Sequence, residues 1–161
     1  MMQVEYRLNV KNYNGGPSIR IYHNGAHIYD DKLQLAGPQT IRFATEMVFP
    51  NKLVLEHHGK NMRRDTQVDQ QGNIVNDKGF TIESVKIDDV LLVNELYHFD
   101  FVKDDGEVIK KNNYIGFNGK FVIDIDKEDL YQWHSGWQKM LVGSNEIFDY
   151  AKFRAEIFSD G

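Results

Sequence analysis

The chain contains no cysteine in its 161 residues. That one absence removes disulfides, thiolate nucleophiles, cysteine-type structural zinc and iron–sulfur clusters, so stability has to come from packing or from a bound ion. An excess of basic charge is also missing. Against 24 Asp and Glu stand 19 Lys and Arg, a formal net charge of −5, so the electrostatic footprint of a general nucleic-acid binder is lacking. No apolar run approaches the length that crosses a bilayer, and the opening residues Met1 to Arg7 lack the charged and apolar regions of a signal peptide. The expectation is a chain without a membrane partner that is cytoplasmic or released by lysis. Phosphate-cradling glycine loops, a nucleophile elbow and the HExxH zinc pattern are absent as well, which points away from the common enzyme classes.

What is present is alternation. Tyr6, Leu8 and Val10 alternate with polar neighbours up to the turn Asn14-Gly15-Gly16-Pro17. Ser18 to His23 and Ala26 to Leu35 flank Asn24-Gly25, the pair preferred in a two-residue hairpin. Further strands are predicted over Thr40 to Val48, Lys52 to His57, Phe80 to Ile87, which alternates again, and Val90 to Val93. Two more hairpins are predicted, one around Lys103 to Gly106 and one at Asn118-Gly119, joining Tyr114 to Phe117 with Lys120 to Ile125. Many short strands at this spacing predict a mostly β chain, an antiparallel β-sandwich of jelly-roll type. The end differs: Leu130, Trp133, Trp137, Met140 and Leu141 recur at helical spacing, with Asp126 or Asp129 near the start and Gly143 past the end. This predicts a C-terminal extension with one amphipathic helix. The final stretch, Ile147 to Phe158, fits either period. The expected division is a β-sandwich module over residues 1–94, with additional hairpins and the helix over 95–161, packed on the same domain.

Between the strands ending at His57 and beginning at Phe80 lies a long acid- and amide-rich loop, Gly59 to Gly79. Loops of this length on compact scaffolds are usually functional, and calcium takes six to eight oxygen ligands from just such side chains. Asp65, Asp69 and Asp77, with Asn73 and Asn76, can supply them, although the spacing is not that of an EF-hand. The competing reading is a solvated loop in which Asp69 to Asn73 forms the tip of a small hairpin between Thr66-Gln67-Val68 and Ile74-Val75.

The strand ending in His57-His58-Gly59, the loop closing with Asn76-Asp77, and Phe80 to Asp88 together resemble the distal part of calcium-dependent carbohydrate-binding modules of the xylan-binding kind. The resemblance runs from Ser18 to Val93. It implies a small jelly-roll sandwich with calcium in the loop, its coordination completed by sugar hydroxyls, with Asp77 as the first ligand candidate and Asp65 and Asp69 after it. The hairpin from Ile19 to Asp31 looks like the family's early strands, which brings Asp30 or Asp31 toward the ion. The segment Asp65 to Lys78 also looks like stretches of accessory structural proteins of tailed phages, which adds a virion setting, and other virion proteins, to the expectations.

Sugar platforms use exposed aromatic rings. Tyr13, Tyr22, Tyr29, Trp133 and Trp137 qualify by chemistry, but the tryptophans at helical spacing read as core, and Tyr22 with Tyr29 also fits an ordinary cross-strand pair. His57 and His58 are adjacent, point to opposite faces of a strand and cannot share a metal. The expected ligand-binding residues are therefore Tyr22, Tyr29, Asn73 and Asn76, and the expected calcium ligands Asp65, Asp69, Asp77 and Asp30. Three functions remain open: a non-catalytic glycan-binding module, a virion accessory or assembly protein that self-associates or binds other structural chains, and a small carbohydrate-active enzyme using the pair Asp124 and Asp126, or Glu83.

Overall fold

The computed structural model describes residues 1–143, and the ambiguous stretch Ile147 to Phe158 lies outside them. In chain order the strands are β1 (Met2–Lys11), β2 (Ser18–His23), β3 (Ala26–Lys32), β4 (Gly37–Thr45), β5 (Asn51–His58), β6 (Thr66–Val68) and β7 (Ile74–Asp77). They continue with β8 (Gly79–Ile87), β9 (Val90–Leu92), β10 (Asp100–Lys103), β11 (Val108–Ile109), β12 (Tyr114–Ile115) and β13 (Gly119–Ile125). A 3-10 turn, Asn94–His98, precedes β10, and α1 spans Leu130–Gly143. Residues 1–126 form one compact unit, and residues 127–143 belong to a second.

The first unit is the antiparallel β-sandwich that the alternation predicts. One sheet runs β12-β8-β1-β4, with β9 also on β8, and the other runs β11-β10-β13-β5-β2-β3. Residues 95–126, expected as added hairpins, supply β10 to β13, and β13 lies between β10 and β5 inside the larger sheet. Alternate residues face the core: Val4, Tyr6, Leu8 and Val10 from β1 are buried, as are Ile19, Ile21, Leu53, Leu55, Phe121 and Ile123 from the opposite sheet. His23 adds a polar link between the sheets, since its Nδ1 lies 2.9 Å from Thr45 Oγ1 and its Nε2 lies 2.8 Å from Asn51 Oδ1.

Two local features differ from the periodicity. In β8 the alternation slips: Arg7 pairs Ser84 and Leu8 pairs Ile82, so Glu83 is an extra residue in a β-bulge. The bulge keeps both Ile82 and Val85, three positions apart, in the core. Asn118-Gly119 does not close a hairpin; β12 pairs with β8 in one sheet while β13 pairs with β10 and β5 in the other, so this pair is a crossover between sheets. Glycine is required at 119 by close approach, because a Cβ there would stand 2.4 Å from the carbonyl oxygen of Val102 and 2.8 Å from the Phe101 ring. The hairpin at Asn24-Gly25 is as predicted, with φ of 50° and 84°, the successive positive values of a type I′ turn.

In the second unit, Asp129 Oδ1 accepts from the backbone N–H groups of Tyr131 at 2.9 Å and Gln132 at 3.3 Å, capping the start of α1. Leu130, Trp133 and Leu141 are buried, whereas Met140 of the predicted stripe is exposed.

Candidate functional site

The acidic loop is a hairpin. β6 and β7 pair in antiparallel register, Thr66 opposite Asp77 and Val68 opposite Ile74, with Asp69 to Asn73 at the tip. Asp69 Oδ1 accepts from the backbone N–H groups of Gln71 and Asn73, both at 2.9 Å, so this carboxylate serves its own turn. Asn76 donates to Gln67 Oε1 at 2.6 Å, and the Asn73 side chain lies 3.5 Å from Asp69 Oδ2. The competing sequence reading, a small hairpin with Asp69 to Asn73 at its tip, describes this segment.

At the hairpin base Asp65 and Asp77 do come together, but around ammonium groups supplied by the chain itself. Lys60 Nζ donates to Asp77 Oδ1 and to the Gly116 carbonyl, each at 2.5 Å, with its side chain only 1% exposed. The same Asp77 oxygen accepts from Thr66 Oγ1 at 2.7 Å and the Lys78 N–H at 2.9 Å, and Oδ2 accepts from Tyr114 O–H at 2.5 Å. Lys78 Nζ lies 3.3 Å from Asp65 Oδ2, which also accepts the Asn61 N–H at 2.8 Å, while Arg64 Nε lies 3.3 Å from Oδ1. Burial pushes the Asp77 carboxyl up, but Lys60, Tyr114 and Thr66 outweigh it and hold the group below its ordinary value. Burial raises Asp65 likewise, and the Asn61 N–H, Lys78 and Arg64 outweigh it in the same direction. Tyr114 is pushed up by burial and by its bond to Asp77. Asn118 fastens the loop to β13 by bonding both to the N–H of Lys60, at 2.9 Å, and to its carbonyl, at 2.8 Å. Against Lys60 and Phe80 sits His57, fully buried, with burial first and the Lys60 charge second lowering its pKa to about 4.

This donor set does not suit calcium. A site for that ion needs several oxygens with free lone pairs converging on one point, whereas the Asp65 and Asp77 oxygens already accept from ammonium, guanidinium, hydroxyl and backbone N–H donors. Asp69 lies at the far end of the hairpin, and Asp30 lies on β3, where it faces Arg20 at 3.8 Å and His27 at 3.7 Å. Among the described residues no three His, Cys, Asp or Glu side chains gather in a way that holds a metal.

A second feature lies on the outer face of the six-stranded sheet. A depression of about 520 Å³ is lined by Tyr22, Gly25, Lys52, Val54, Val102, Lys120 and Val122. Register builds it: Val122 lies opposite Val54 and Val54 opposite Tyr22, so half-buried apolar side chains cross three neighbouring strands. Tyr22 is backed by His27, their ring centroids 5.4 Å apart, and its hydroxyl lies 3.4 Å from Glu56 Oε1. Tyr29 does not join it. A bulge between Ile21 and Tyr22 sets Tyr22 against His27, while Tyr29 stands opposite the buried Ile21, on the other face. Tyr22 also lies four ladder positions from Ser18, which pairs with His58 beside the acidic loop. That is roughly 13 Å along the strand, so Asn73 and Asn76 belong to a different region. Asp124 stands opposite Lys52 on the outer face, and Glu83 lies in the other sheet.

The sequence signal for this surface lies in Leu53-Val54-Leu55 and Phe121-Val122-Ile123. Three consecutive apolar residues in a strand whose neighbours alternate put one of them on the outer face, and here the outward valines are in register.

No known family matches the sequence, and no curated protein does. Two solved structures share the fold. One is vCBM60 in complex with galactobiose, with a TM-score of 0.52 and 11% identity over 76% of this chain and 97% of that one. The other is the selenomethionine form of vCBM60, described with circular permutation as a link between two families of calcium-dependent carbohydrate-binding modules. It has a TM-score of 0.55 and 11% identity over 78% of this chain and 92% of that one. The likeness is one of fold.

Proposed function

We propose that this chain is a non-catalytic carbohydrate-binding module whose ligand surface is the outer face of the six-stranded sheet. The observation that carries the reading is the depression lined by Tyr22, Val54, Val102 and Val122, with lysines at its margins. An apolar floor with one aromatic wall and a few polar groups matches what a sugar offers, a C–H face and a rim of hydroxyls. The shared fold with vCBM60, seen in complex with galactobiose, supports this reading. Calcium has no role in it, since Asp65 and Asp77 are satisfied by Lys60, Lys78 and Arg64. A glycan array probed with the protein in excess EDTA, and again in millimolar calcium, tests the proposal. Binding equal in the two conditions and lost in Tyr22→Ala is the expected result; no glycan bound in either condition, or binding only with calcium, overturns it.

One observation favours a second reading, that of an accessory protein docking on other chains of a virion or similar assembly. The β6–β7 hairpin carries Val68, Ile74 and Val75 on its surface, all more than half exposed. Apolar side chains grouped on an exposed hairpin are unusual without a partner. Self-association or co-purification with a partner, abolished by Val68→Ser with Ile74→Ser, supports that role, and an invariantly monomeric, partnerless protein refutes it.

A further inference from the structure

The proposed sugar surface has a charge pattern that narrows its ligand. Lys52 and Lys120 both line the depression and are exposed. Neither forms an ion pair with any described residue, in a chain whose net charge is −5. The acids of this face are engaged elsewhere. Glu56, opposite Lys120 in the ladder, lies 3.6 Å from the Arg20 guanidinium and 3.4 Å from the Tyr22 hydroxyl. Asp100, beside Val122, lies 3.6 Å from Lys110 Nζ. Asp124, opposite Lys52, is also engaged. The uncommitted charges of the groove are therefore two ammonium groups.

Their arrangement is directional. β5 and β13 are antiparallel, Lys52 precedes Val54 by two residues, and Lys120 precedes Val122 by two. The lysines thus flank the Val54–Val122 pair from opposite ends, on a diagonal whose backbone span is about 14 Å. A single small anion cannot reach both. A short run of linked sugars lying across the valines and against Tyr22 can, if its residues carry acidic groups.

Building on the carbohydrate-binding reading above, we infer that the preferred ligand is an anionic glycan, its sugar faces on Val54, Val122 and Tyr22 and its acidic groups on Lys52 and Lys120. A flexible ammonium at each end accepts either a uronate carboxylate or a sulfate ester as a charge-assisted hydrogen-bond acceptor.

Calorimetric titrations in EDTA compare three probes of equal length: galacturonate oligomers, sulfated galactan oligomers and neutral galactan oligomers. Expected is binding of at least one acidic probe more tightly than the neutral one, weakening as salt rises. Lys52→Gln with Lys120→Gln then lowers affinity for that probe by about tenfold, the loss of two exposed charge contacts, and lowers neutral-probe affinity by a smaller factor. The carboxylate and sulfate arms distinguish the two sources of the anion. If the neutral probe binds as well as both acidic ones, or the lysine variant keeps its affinity for them, this inference fails while the carbohydrate-binding reading stands. If no probe binds, and the glycan array is also blank, both fail together.

Discussion

Replacing Lys60 by Met keeps an unbranched side chain, one heavy atom shorter, and removes the charge from a position that is 1% exposed. In the native protein that ammonium neutralises Asp77 and satisfies the Gly116 carbonyl at 2.5 Å. Removing one member of a buried pair typically costs about 3–5 kcal/mol, because the remaining charge is left without its counterion. Thr66, Tyr114 and the Lys78 N–H still donate to Asp77, so the lower end, about 3 kcal/mol, is expected. With a urea slope of about 2 kcal/mol/M, this lowers the unfolding midpoint by about 1.5 M. The double variant Lys60→Met, Asp77→Asn removes the stranded charge and is expected to recover about half the loss or more. The assay is urea unfolding followed by circular dichroism, with EDTA and with millimolar calcium. For the native protein the two curves should coincide, whereas a calcium site filled to a hundred times its dissociation constant adds about 2.7 kcal/mol. A calcium-dependent midpoint in the native protein, or a Lys60→Met cost below about 1 kcal/mol, refutes the assignment of the ammonium as the loop's own cation.

Acid titration gives a separate check. His57 is held at about 4 against an ordinary 6.5, so it is neutral in the fold and charges in the unfolded chain first. Its contribution is complete above pH 6.5 and is lost as pH falls toward 4, a total of about 3 kcal/mol. In His57→Phe the slope of stability against pH in that window should fall by close to one proton's worth, measured by urea unfolding at several pH values; an unchanged slope contradicts the buried neutral imidazole. Below the ordinary aspartate value of 3.8, a further loss is expected from Asp65 and Asp77, whose folded values are lower. Gly119→Ala drives a methyl group against Val102 and Phe101 and should destabilise by about 1–3 kcal/mol, and a thermal midpoint equal to the native one excludes that close approach.

Much of the sandwich was legible because burial on one face of each sheet imposes a period of two on β1, β2, β5 and β13, and because Asn24-Gly25 is one of few pairs that accept successive positive φ values. An aspartate cap, Asp126 or Asp129, was legible for a similar reason, since only a few side chains bond the first free N–H groups of a helix, and the structure assigns it to Asp129. Asn118-Gly119 misled. Its glycine answers to the crowding of β10 across the sheet, a long-range contact that no local pattern encodes. In the loop, composition showed the oxygens but not their donors. Lys60 and Lys78 stand at its two ends, and only the pairing of β6 with β7 and the return of Tyr114 and Gly116 beside them turn both inward. The outer groove is built from register across β2, β5, β13 and β10, so its residues were visible singly and their union was not. Of the residues expected to bind ligand, Tyr22 lies in that groove, Tyr29 faces away from it, and Asn73 and Asn76 belong to the hairpin.

The account turns on where a ligand sits. Backbone amide shifts of isotopically labelled protein, recorded in EDTA while galacturonate and galactan oligomers are added, read that position directly. Shifts centred on Tyr22, Val54, Val102 and Val122, with Asn61 to Lys78 unmoved, are the expected result. Shifts confined to Asn61 to Lys78, or arising only after calcium is restored, would contradict it.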